Sequence, residues 1–180
     1  CRNELAHYPI PGLGMDELPP APVGDMTGMD PPEHTRYRRL LTSKFTVRRM
    51  RQLTERASEV TTEHLASMQR QGPPVDLMET FAHPVPAVMI CELLGVPYAD
   101  REVFRGYITK MSNPDATPHE QFDGYTALQS YVAELVQAKR AGPTDDVLSD
   151  LTTSDLSDKE LTGVGTFLLA AGLDTTANML

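Results

Sequence analysis

From Leu161 to Leu180 the chain carries one ionisable side chain, Asp174, and within that run Ala170, Ala171 and Gly172 stand together. Twenty such residues without a proline predict a helix that is buried over most of its length, so the remaining chain must wrap around it. A transmembrane helix is the other structure open to a run of this length. Thr162, Gly163, Gly165, Thr166, Thr175, Thr176 and Asn178 make the run too polar for lipid, so a core helix and no membrane span are expected.

The rest of the chain supplies helices to cover it. Residues 9–32 hold seven of the fifteen prolines and four of the twelve glycines and predict an irregular connection. Met15, Met26 and Met29 lie in it, pliable residues that suit an adaptable apolar wall or simple loop packing. Asp30-Pro31-Pro32-Glu33 predicts a helix start, with Asp30 as cap, Pro31 in the first turn and Glu33 at the capping-box position, running to about Thr42. After Phe45-Thr46 a second helix is expected from Val47 to about Gln69, closed by Gly72-Pro73-Pro74.

Val75 to Leu77 is at most a short strand. Helices are expected over Met78–Leu94, Tyr98–Met111 and His119–Arg140, then a short acidic one over Asp145–Leu151 and a long final one from Asp158. The linker from Ser112 to Pro118 reads as a lid hinge or an ordinary surface turn. With 180 residues, 40% of them hydrophobic, and no internal repeat, the chain is expected to be mainly α and to form one domain or part of one.

Net charge is −9, which argues against nucleic-acid binding. Yet eight of the sixteen Lys and Arg residues fall between Arg36 and Arg56, where Glu55 is the only acid. Such a segment is either a solvated helix face or a docking surface for an anionic partner. The two cysteines, Cys1 and Cys91, form no Cys-x-x-Cys pattern, so neither a disulfide framework nor a protein-held metal site is expected. No secretory signal is evident, and a reduced, cytoplasmic location is expected.

Two constellations can carry chemistry. Ala170-Ala171-Gly172 offers so little side chain that a flat ligand, or equally a neighbouring helix, can approach the backbone. One turn on, the Thr175 hydroxyl can donate to the Ala171 carbonyl four residues back, and Asp174 needs a cation, water or amide if it is buried. His34 and Arg38, also four apart, share a helix face and both can donate to carboxylates; an exposed basic stripe is the plainer reading.

Taken together, these segments resemble the cytochrome P-450 superfamily in its soluble bacterial branch. Met29-Asp30-Pro31-Pro32-Glu33-His34-Thr35-Arg36-Tyr37-Arg38-Arg39-Leu40 is similar to the family's third major helix, continued by Phe45-Thr46-Val47-Arg48-Arg49. Leu168-Leu169-Ala170-Ala171-Gly172-Leu173-Asp174-Thr175-Thr176 is similar to its long central helix. Gly95-Val96-Pro97 and Gly142-Pro143-Thr144-Asp145-Asp146-Val147-Leu148 look like family connectors.

The resemblance implies haem as cofactor, with His34 and Arg38 on its propionates and Ala171 and Gly172 beside the oxygen site. Thr175 would steady dioxygen and its water, and Asp174 would relay protons. It further implies an apolar substrate bounded by Met26, Thr27, Ile108, Met111, Phe167 and Ala170, and a ferredoxin-type electron donor. The family's proximal Cys loop and its Glu-x-x-Arg helix are not among these residues. The chain is therefore expected to be part of one catalytic domain, truncated at both ends and inactive alone. A non-catalytic helical domain that stores an apolar ligand is the alternative.

Overall fold

A computed structural model describes residues 22–180, which are helical with no strand among them. The helices are α1 (Glu33–Lys44), α2 (Val47–Gln71), α3 (Pro84–Leu94), α4 (Arg101–Ser112), α5 (Pro118–Ala141), α6 (Val147–Leu151) and α7 (Asp158–Ala177). Cys1, Met15 and the first part of the proline-rich connection lie outside the described residues.

Helix α7 is the expected central element. Leu161, Val164, Leu169 and Leu173 are fully buried, against Ile90 of α3 and Leu128 and Val132 of α5 in one continuous core. Its start is fixed by a capping box: Ser157 Oγ accepts from the Glu160 amide at 3.3 Å, and Glu160 Oε2 accepts from the Ser157 amide at 2.8 Å. Thr117 and Glu120 repeat the same box at the start of α5.

Three expectations about helix ends are corrected. Asp30 is not the cap of α1; Pro32 stands at that position with no side-chain bond, and Asp30 contributes its backbone carbonyl to the His34 amide at 3.1 Å. Val75 to Leu77 is not a strand, since Asp76 instead starts a helical turn by accepting from the Glu79 amide at 3.1 Å. Met78–Leu94 is not one α-helix: a π-helical turn, Met78–Ala82, precedes α3. Pro84 explains the break, because it cannot donate to the carbonyl four residues earlier and is tolerated only in a helix's first turn.

The segment from Pro22 to Gly28 crosses α7 backbone to backbone. A side chain on Gly163 would overlap the Val23 carbonyl, and one on Gly24, whose φ is +85°, would overlap the backbone between Gly163 and Val164. Two glycines meeting in this way let the segment lie directly on the central helix. Elsewhere the end of α5 is tied to the start of α6 by Lys139 and Asp146, buried and 2.8 Å apart. Burial pushes the Asp146 carboxyl up, but bonds from Lys139, Thr144 and Ser149 outweigh it and hold the group below its usual range.

Candidate functional site

Successive residues of a helix are turned by about 100°, so Ala170, Ala171 and Gly172 face three ways. Ala170 lines a cavity, Ala171 is exposed, and Gly172 abuts α3, where a side chain would meet Ile90 Cδ1 at 2.8 Å. Gly172 thus brings two helices together, while Ala171 presents the bare edge.

Thr175 lies one turn beyond Ala171 on that edge and is also exposed. Its hydroxyl donates to the Ala171 carbonyl at 2.5 Å, the bond expected from the sequence. With the proton committed inward, the oxygen lone pairs can only accept from whatever lies over the edge. Helical spacing places Asp174 on the stripe of Phe167 and Ala170; it is half-buried, and its carboxylate has no hydrogen bond or ion pair among the described residues.

On α1 the residues divide by face. Arg36 and Tyr37 turn toward the first turn of α7, where both donate to Glu160, at 2.5 and 3.0 Å; Arg36 also reaches Asp155 at 3.2 Å. Burial pushes the Glu160 carboxyl up, but Arg36, Ser157 and Tyr37 together bring it down to about 2. Burial, then the neighbouring Glu160, raises the Tyr37 phenol to about 12. His34 is half-buried and Arg38 exposed, and neither side chain has a hydrogen bond or ion pair among the described residues.

His34 and Arg38, four apart on one face of α1 and both without a side-chain partner among the described residues, suit a carboxylate-bearing ligand. A bare Ala171 edge suits a flat apolar one. The chemistry of both sets fits haem. Cys91 is buried in α3, and that burial pushes its thiol up to about 12.

The expected substrate wall is partly assembled. Met111, Phe167 and Ala170 line one cavity of about 290 Å³, together with Val23, Asp25 and Tyr125. Met26 packs against the core, and Thr27 is exposed, its amide and hydroxyl donating to Asp25 at 3.0 and 2.6 Å. Ile108 is fully buried one turn behind Met111.

The sequence reading missed Asp25, Tyr125 and the Arg36–Glu160–Tyr37 contact. Ser157-Asp158-Lys159-Glu160 did carry a capping-box signal for Glu160; nothing local marks Asp25 or Tyr125.

The basic segment is also divided. Arg49 bridges Asp145 and Asp150 at 3.0 and 2.8 Å, and Arg56 bridges Glu59 and Glu92 at 3.0 and 2.7 Å. Arg38, Arg39, Lys44, Arg48 and Arg51 have no ion pair among the described residues. The cations of this segment left without an ion pair include Arg48 but not Arg49. No described helix is long and apolar enough to cross a membrane.

No family model matches the chain. Curated relatives do. The chain is 42% identical over 155 residues to the cytochrome P-450 CYP105Q4 of Mycobacterium marinum, covering 84% of this chain and 37% of that one. It is 39% identical over 170 residues to the vitamin D(3) 25-hydroxylase of Pseudonocardia autotrophica, covering 91% of this chain and 42% of that one. The crystal structure of CYP105P1 in complex with filipin I superposes with a TM-score of 0.83 at 35% identity, covering 92% of this chain and 43% of that one. The chain spans about two-fifths of the length of the curated relatives it matches.

Proposed function

The chain belongs to the cytochrome P-450 family, and from that membership we propose that it forms the distal part of a haem monooxygenase. The whole enzyme inserts one oxygen atom from dioxygen into an apolar organic substrate, using electrons from a ferredoxin-type donor. The observation that carries this reading is the pairing, on one chain, of the unpaired His34 and Arg38 with the bare edge of Ala171 and Thr175.

Haem, when bound, supplies the activation of dioxygen and the storage of electrons. His34 and Arg38 would hold its propionates as hydrogen-bond donors, Arg38 through a planar fork. Ala171, with its small exposed side chain, would let it approach the helix. The Thr175 hydroxyl, its proton given to Ala171, accepts a hydrogen bond from a water and keeps that water oriented toward the reacting oxygen. Asp174 exchanges protons with solvent from a half-buried position. Among the described residues this reading assigns no thiolate ligand, and it therefore gives residues 22–180 no monooxygenase activity by themselves.

Thr175→Ala in the intact enzyme tests the relay. Cofactor oxidation should continue while product per electron pair falls about tenfold or more, since general acid–base contributions run from about 100- to 10,000-fold. Unchanged coupling would remove Thr175 from proton delivery. A storage protein, the alternative, would take up an apolar ligand and consume no reductant at all.

A further inference from the structure

The cavity of about 290 Å³ beside α7 has walls of two kinds. Val23, Met111, Phe167 and Ala170 are apolar, whereas Asp25, Tyr125 and Thr166 bring polar atoms to it. The Thr166 hydroxyl is already committed to the Thr162 carbonyl at 2.8 Å. The other two are not. Tyr125 Oη accepts from the Gln129 amide at 2.8 Å, so its own proton remains to be donated. Asp25 uses Oδ1 for both bonds from Thr27, and Oδ2 accepts none among the described residues. No Lys, Arg or His of the described residues forms an ion pair with Asp25.

We propose that this cavity is a subsite for the cationic head of an otherwise apolar substrate, with the Asp25 carboxylate as its counter-charge. The proposal rests on the monooxygenase reading and narrows its substrate class to hydrophobic amines in their protonated form. Asp25 is half-buried, accepts only from Thr27 and lines the cavity with no cation paired to it among the described residues; an ammonium group is attracted to its charge and a carboxylate head is repelled. Asp25 lies near enough for its charge, after burial, to raise the Tyr125 phenol.

The approach to the cavity does not itself select charge. An outer groove of about 860 Å³ adjoins it through Pro22, Val23 and Tyr125. There Glu134 and Lys159 bring opposite charges to the lining without forming an ion pair, and Asp158 is held by Arg140 at 2.6 Å. Discrimination therefore falls to Asp25, on the segment pinned across α7 by Gly24 and Gly163.

The test measures binding by titration calorimetry to the intact haem protein with three adamantane probes. Trimethyladamantylammonium is the cation and has no lone pair to ligate iron; adamantanol is neutral and adamantanecarboxylate anionic. The cation should bind at least about tenfold more tightly than the carboxylate, a difference of about 1.4 kcal/mol. Asp25→Asn keeps the oxygen that Thr27 uses and loses the charge, so it should abolish that preference and leave adamantanol within about twofold. Tyr125→Phe should leave the cation preference in place, because an ammonium head has no lone pair for the Tyr125 hydroxyl to donate to; a preference lost in Tyr125→Phe overturns the assignment of the counter-charge to Asp25.

No preference in the parent protein, or a preference that survives Asp25→Asn, overturns the assignment of Asp25. The reduced carbon monoxide spectrum of the same preparation separates the two readings. A thiolate-type Soret band without cation preference sinks the subsite alone. Cation preference without that band sinks the monooxygenase reading alone.

Discussion

Individual residues of α7 are specialised by direction more than by type. Gly163, Ala170, Ala171 and Gly172 are all small, yet one admits a crossing backbone, one lines a cavity, one leaves an edge bare and one admits α3. Substitution should therefore separate glycines that look alike in sequence. Gly163→Ala forces its new methyl against the Val23 carbonyl and should cost about 1–3 kcal/mol of unfolding free energy. Gly106→Ala, in the exposed interior of α4 with nothing nearby, should stabilise by about 0.5–1 kcal/mol through helix propensity. Urea denaturation reads both, and a silent Gly163→Ala would remove the crossing. Cys91→Ser should leave the thiolate-type Soret band of the intact enzyme in place, because the Cys91 side chain of α3 is packed into the hydrophobic core.

Among the elements, the join between α1 and α7 is the most sensitive to acid. The folded Glu160 carboxyl sits at about 2 against an ordinary value of 4.5. A depressed carboxylate contributes stability that is complete above pH 4.5 and lost as pH falls through about 2. Glu160→Gln should flatten the stability profile over that window. At neutral pH it should cost about 1.5–3 kcal/mol, the usual contribution of hydrogen bonds to a charged group. A profile as steep as the parent's would place the acid sensitivity elsewhere.

The elements were also the level most legible in the sequence. The starts of α2 and α7 and the core position of α7, a run nearly free of charge, were legible, although the caps that fix those starts, Thr46 and the Ser157–Glu160 box, were left unread. The Thr175 bond to Ala171 was equally legible. What could not be read depended on distant partners. Asp25 reaches its cavity only because two glycines far apart in the chain meet, and Arg49 leaves the basic face only because Asp145 and Asp150 lie opposite. The break before α3 had a visible cause in Pro84, yet apolar periodicity ran straight through it.

At the scale of the molecule, a chain of net charge −9 leaves fewer unpaired cations between Arg36 and Arg56 than its sequence implies, since Arg36, Arg49 and Arg56 are held in ion pairs. Complementary charge mainly accelerates encounter. Reversing Arg48 and Arg51 to Glu in the intact enzyme should slow reduction by an acidic ferredoxin about tenfold at low ionic strength and flatten its salt dependence. Arg49→Glu should act differently, lowering stability by setting a third carboxylate beside Asp145 and Asp150. Stopped-flow reduction and thermal unfolding distinguish these outcomes; equal effects on reduction from all three positions would return Arg49 to the docking face.

The glycine crossing also bears on how the range of such an enzyme can be altered. A wall held by backbone contact cannot retreat to admit a larger guest, so space must be made by trimming the side chains that project from it. Met111, Phe167 and Tyr125 are open to that treatment, and Asp25 to a change of charge. Gly24 and Gly163 are not: variation there would move the frame on which the other choices depend.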